Sequence, residues 1–216
     1  FNITPKEAEI MEPQERLFLE CVYHAMEDAG YTRQKLAQVN EKSGNVGVYV
    51  GVMYEEYQLY AAEEEKDGHM IAVSSNPASI ANRISYYCNL HGPSMSIDTM
   101  CSSSLTAIHL ACQSLKQGEC EVAIAGGVNV SIHQHKYVML SQGKFASAKG
   151  RCASFGEGGD GYVPGEGVGA IILKPLDKAV QDGDNIYAVI KGTAVNHGGK
   201  TNGYTVPNPN AQSSLI

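Results

Sequence analysis

The segment Ser94-Met-Ser-Ile-Asp-Thr-Met-Cys101-Ser-Ser-Ser-Leu-Thr-Ala-Ile-His-Leu-Ala-Cys-Gln-Ser-Leu-Lys-Gln-Gly118 changes period halfway. Ser94 to Thr99, after the Gly92-Pro93 break, reads as a short strand. From Leu105 the apolar residues Ile108, Cys112 and Leu115 recur at helical spacing, and Gly118 closes the run. A strand feeding a helix through a small-residue turn is the unit of layered α/β folds.

The same alternation continues outward. Val46 to Val52 reads as a buried strand and Glu121 to Val130 as a strand rich in small residues. Val168 to Leu173 and Ile186 to Ala194 supply two more. Pro13 to Gly30 is a helix whose stripe is Leu17, Phe18, Cys21, Val22, Ala25, Met26 and Ala29, with proline in its first turn and glycine at its stop. A second helical pattern follows Pro77 through Ile80, Ile84 and Tyr87. The acidic run Glu63-Glu64-Glu65 reads as a solvated loop or helix face. Ala211 to Leu215 looks like the start of another helix. No short repeat and no linker interrupts the chain, so residues 1–216 are read as one α/β domain or a large piece of one.

Cys101 stands between strand and helix. A thiol there faces the positive end of the helix dipole and unpaired backbone N–H groups, which favour a thiolate and an oxyanion. Cys21 and Cys112 lie on apolar helix stripes and read as packing residues. Cys88 and Cys120 carry no site signature, and Cys152, beside Arg151 just upstream of a glycine-rich run, is a weak candidate for a reactive thiol. The six cysteines form no C-x-x-C pair, which suits reduced thiols in a cytoplasmic setting. With 16 basic against 23 acidic residues, the net charge of −7 argues against a nucleic-acid partner. No apolar run approaches the ~20 residues of a membrane span.

Ser96-Ile-Asp-Thr-Met-Cys-Ser-Ser-Ser-Leu-Thr-Ala resembles the active-site signature of β-ketoacyl synthases. Met11-Glu-Pro-Gln-Glu-Arg-Leu-Phe-Leu-Glu with Glu27-Asp-Ala-Gly is similar to that family's N-terminal helix. Ser154-Phe-Gly-Glu-Gly-Gly-Asp-Gly-Tyr-Val-Pro-Gly-Glu-Gly is similar to its glycine-rich loop, and Asn196-His-Gly-Gly-Lys-Thr-Asn-Gly-Tyr-Thr-Val-Pro-Asn-Pro to the segment before its next helix. The Phe155-Gly156 and His197-Gly-Gly-Lys variants resemble ketosynthases of trans-acyltransferase polyketide synthases. Tyr23 departs from the usual tryptophan.

The resemblance implies a thiolase-like αβαβα fold and a homodimer, with Cys101 as nucleophile. It implies an acyl carrier protein partner whose phosphopantetheine arm presents the substrate, with no bound cofactor and no metal. Met100, where relatives often have alanine, would line the acyl pocket. Condensation would proceed by decarboxylating a malonyl-carrier unit. The family's two catalytic histidines fall in motifs expected after residue 216, and a first strand is expected before residue 1. The chain is therefore expected to be a partial domain, mainly the N-terminal half with the crossover to the C-terminal half, inactive alone.

Two rival functions stand beside this one. A transfer-only ketosynthase-like domain would move chains without condensing them, and a cysteine-dependent thioester hydrolase would use His197 as base. Gly156-Glu-Gly-Gly-Asp-Gly has the letters of a dinucleotide fingerprint. Pro164 stands where its helix should begin and no apolar strand precedes it, so it reads as a glycine turn in which Asp160 and Glu166 make structural hydrogen bonds. His133 and His135 read as a strand-like H-x-H pair with no carboxylate nearby, which argues against a zinc site.

Overall fold

A computed structural model of the chain describes residues 1–39 and 44–216. Its centre is a mixed four-stranded sheet in the order β2-β1-β3-β4, with β1 Val46–Gly51, β2 Ser94–Ile97, β3 Val122–Asn129 and β4 Gly167–Leu173. β1 runs parallel to both β2 and β3, with Val50 opposite Ser96 and Gly126. β4 returns antiparallel to β3, pairing Gly126 with Ala170.

Alternation along the strands decides what packs where. Val46, Val48 and Val50 of β1 and Val122, Ile124 and Val128 of β3 face one side. There they meet Phe18, Leu19, Val22 and Met26 of α2 (Pro13–Asp28) and Ile80, Ile84 and Cys88 of α5 (Pro77–Cys88). The opposite face is small: Ala123 and Ala125 of β3 meet Ala107 and Ala111 of α6 (Ser103–Gln117). Helix, sheet and helix thus form three successive layers.

The anticipated helices end where their sequence signals stop them. Gly30 and Gly118 adopt left-handed φ of +71° and +74° after α2 and α6. α4 (Tyr57–Lys66) carries the acidic run and buries none of its residues. α9 (Pro209–Leu215) is the anticipated terminal helix, capped by Asn208. Four short helices went unread in the sequence: α1 (Pro5–Ile10), α3 (Arg33–Ala37), α7 (His135–Gln142) and α8 (Leu176–Gln181).

Ile186 to Ala194 is not a strand. Its apolar residues are exposed, including Tyr187 at 79%, and among the described residues no strand pairs with it. β-branched composition alone does not make a strand without a neighbour to take its hydrogen bonds. The segment is pinned through side chains instead, from Tyr187 Oη to Asp28 at 2.9 Å and between Thr193 and His109 at 2.9 Å.

Candidate active site

β2, β1 and β3 are parallel, so their carboxyl ends open on one edge of the sheet, where α/β folds place their sites. The loop leaving β2 carries Cys101. Asp98 accepts the Met100 N–H at 2.8 Å, and Met100 turns the chain with a left-handed φ of +61°. A bulky residue in that region is strained, and such strain persists only where the surroundings over-determine it. Here the Ser103 hydroxyl accepts the Thr99 N–H at 2.9 Å and donates to the Met100 carbonyl at 2.6 Å. Thr99 Oγ1 meets both Ser102 Oγ and Thr106 Oγ1 at 3.0 Å. The elbow is braced, and it leaves Cys101 exposed just before α6.

Glycines bring α6 down onto the strand ends. A Cβ on Gly51 would lie 2.4 Å from the Ser104 nitrogen, and one on Gly127 would lie 2.8 Å from Ser104 Cβ. The serines after Cys101 therefore supply both the brace and the close approach. Met100 is 60% exposed beside the cysteine.

Two phenols stand within electrostatic reach of the thiol. Burial pushes the Tyr54 phenol up, and charge on Cys101, Glu56 and Asp98 adds to it. Tyr162 is pushed up by burial and by the charges of Tyr54 and Cys101. Tyr54 follows β1, and Gln14, wholly buried on α2, donates to its carbonyl at 2.6 Å while accepting the Val130 N–H at 2.8 Å. One glutamine thus ties the exits of β1 and β3 together. Neither Tyr54 nor Gln14 was singled out by sequence reasoning; a tyrosine three residues past a buried parallel strand was the available signal.

Other candidates take plainer places. His197 sits in an exposed loop, its Nδ1 accepting the Gly199 N–H at 2.9 Å, and Cys101 is not among its partners. Among the described residues no cluster of three or more metal-ligating side chains forms. The H-x-H pair is not strand-like, since His135 opens α7, and carboxylates do lie nearby. His133 meets Glu63 at 3.1 Å and His135 meets Glu56 at 3.3 Å, each carboxylate serving its own imidazole. These glutamates come from α4 and the turn before it, 70 and 79 residues away in sequence, which hid them from local reading. In the glycine-rich segment, Asp160 accepts from Ser147 at 2.6 Å and Glu166 from the Ser131 N–H at 2.7 Å, as structural partners. Cys152 is exposed, and its sulfur accepts the Val163 N–H at 3.2 Å. Cys88 and Cys120 are buried, and burial holds the Cys88 thiol up at about 11.

The mixed sheet, sandwiched by α2 and α5 on one side and by α6 starting at a cysteine elbow on the other, defines a thiolase-like domain. Residues 1–179 match the family described as Beta-ketoacyl synthase, N-terminal domain, and the chain belongs to that family, within the ketosynthases of polyketide synthases. Polyketide synthase PksL of Bacillus subtilis is 71% identical over the whole chain, and polyketide synthase ThaG of Burkholderia thailandensis is 62% identical. The chain spans only 5% and 4% of those proteins. Two solved structures superpose closely. The oxazolomycin ketosynthase domain OzmH KS7 of Streptomyces albus has a TM-score of 0.92 at 56% identity, over 98% of this chain and 36% of that one. The ketosynthase from module 6 of the bacillaene synthase of Bacillus subtilis has a TM-score of 0.88 at 41% identity, over 99% and 36%. Among the described residues no helix is long and apolar enough to cross a membrane.

Proposed function

We propose that residues 1–216 form part of a condensing ketosynthase domain in which Cys101 is the acyl-carrying nucleophile. The observation that supports this most directly is the braced elbow, which holds an exposed sulfur at the start of a 15-residue helix. The Cys101 thiolate attacks the carbonyl of an acyl thioester on a carrier protein's phosphopantetheine arm. The carbonyl–sulfur bond to the arm breaks, the arm leaves as a thiol after taking a proton, and the acyl group stays on Cys101. In this reading, backbone N–H groups left unpaired at the start of α6 stabilise the intervening oxyanion. A malonyl-carrier unit then loses carbon dioxide, its α-carbon attacks the Cys101 thioester, and Cys101 is released as the new carbon–carbon bond forms. The histidines for that second step come, in this reading, from outside residues 1–216.

Met100 lines the acyl pocket, where its flexible side chain shapes which chain is accepted. The acyl carrier protein is the macromolecular partner, and the full-length domain is a homodimer. The likeness to a bacillaene ketosynthase supports a trans-acyltransferase assembly line, which in this reading works in the cytoplasm.

Iodoacetamide labelling of the full-length domain followed by peptide mapping tests the reading. Cys101 should be alkylated at least about tenfold faster than the other five cysteines. Cys101→Ala should abolish transfer of an acyl group from its carrier. Uniform labelling of all six, or transfer by the alanine variant, would overturn the assignment.

A further inference from the structure

We propose that Lys136 is a positioning residue for the Cys101 site: its buried ammonium, seated against the Tyr54 ring, holds that ring as a wall beside the thioester. The inference rests on the reading of Cys101 as the acyl carrier.

Lys136 lies in the first turn of α7 and is only 2% exposed. Buried lysines normally have an anionic partner, because an unpaired ammonium in a dry environment is costly. Among the described residues no carboxylate lies within 4.0 Å of Lys136, and the charges of Glu56 and Glu166 support its ammonium only from further off. Its Nζ donates to Asn129 Oδ1 at 2.8 Å and sits 4.9 Å from the centre of the Tyr54 ring. Asn129 is itself held, donating to the Gly165 carbonyl at 2.6 Å. A cation on the face of a desolvated ring is attracted by the ring quadrupole, and that contact is directional. It fixes the ring plane.

Both partners are held independently. The loop carrying Lys136 is clamped through His133, whose Nδ1 accepts the His135 N–H at 3.1 Å. That leaves the proton on Nε2, which donates to Glu63 at 3.1 Å. Tyr60 adds an edge-on contact to the His133 ring at 5.0 Å and donates to the Ile132 carbonyl at 2.9 Å. The Tyr54 backbone is held by Gln14, which donates to its carbonyl. Lys136 follows β3, Tyr54 follows β1 and Cys101 follows β2, so three adjacent parallel strands deliver them to one edge.

The test uses the full-length ketosynthase domain and two probes of Cys101. Butyryl-N-acetylcysteamine reports acyl loading by mass gain, and iodoacetamide reports the thiol without needing an acyl wall. Lys136→Met should lower kcat/KM for butyryl loading about tenfold while changing iodoacetamide labelling less than about twofold, and Lys136→Arg should restore loading. Tyr54→Leu should match Lys136→Met, and Tyr54→Phe, which keeps the ring, should behave as wild type. The Lys136→Met/Tyr54→Leu double variant should be no slower than either single one. Wild-type loading by Lys136→Met, multiplying effects in the double variant, or a parallel fall in iodoacetamide labelling would overturn the proposal. If Lys136→Met fails to fold, Tyr54→Leu against Tyr54→Phe decides, and equal loading overturns it. A wild-type domain whose Cys101 reacts with iodoacetamide but never with butyryl thioester would instead overturn the acyl-carrier reading.

Discussion

Gly51 has an ordinary φ, and its importance is purely steric. The Ser103 carbonyl carbon would lie 2.5 Å from an added Cβ, and both it and the Ser104 nitrogen are backbone atoms that cannot rotate away. Gly51→Ala should therefore push α6 off β1 and destabilise the domain by about 3 kcal/mol or more, measured by urea unfolding. Iodoacetamide labelling of Cys101 should lose its selectivity at the same time, because the elbow is built on that approach. An alanine variant of unchanged stability would show that the helix start is not seated as described. The place of Cys101 at a helix start was legible in the sequence because its strand–turn–helix context is local; its role as nucleophile rested on the resemblance of the surrounding motif. Tyr54, Gln14 and Lys136 were not, because each acquires meaning only from partners on other strands.

At the scale of elements, α2 and α5 are joined across the sheet face by one buried ion pair. Arg83 Nε donates to Glu15 at 2.6 Å and its Nη1 reaches Glu7 at 2.8 Å, while Glu15 is only 1% exposed. Arg83 is held above its ordinary range, since the glutamates outweigh the opposing effect of burial. Removing the cation leaves an uncompensated buried carboxylate. Arg83→Met should cost about 3 kcal/mol in chemical denaturation, and Arg83→Met/Glu15→Met should recover most of it. A second tie joins the turn after α2 to the end of β4. Lys174 bonds Asp182, Asp184 at 2.7 Å and Tyr31 at 2.9 Å; burial pulls its ammonium down, but these bonds win and raise it.

For the whole molecule, acid groups gather where β1 exits over the start of α2. Glu55 has no hydrogen-bond donor to either carboxyl oxygen among the described residues, and burial, then Glu12 and Glu15, push it up to about 7. Its usual value is 4.5, so the folded chain holds the proton more tightly than the unfolded chain. Stability from this group is whole at low pH, falls as pH rises from about 4.5 to about 7, and is fully lost above that. Glu55→Gln cannot ionise. It should raise the melting temperature at pH 8 and leave it nearly unchanged at pH 5; an equal gain at both would assign the effect to packing.

Local periodicity and capping determined the strands β1 to β4, the helices α2, α5 and α6, and the cysteine at the head of α6, because each depends on neighbours within a few residues. The tertiary structure decided what spacing cannot encode. It left Ile186 to Ala194 without a ladder for want of a pairing strand and made His135 the start of a helix beside a distant glutamate. It also brought Lys136, Tyr54 and Cys101 to one edge. Those outcomes follow from which strands lie side by side, and adjacency in a parallel sheet is set by long crossovers rather than by any short run of sequence.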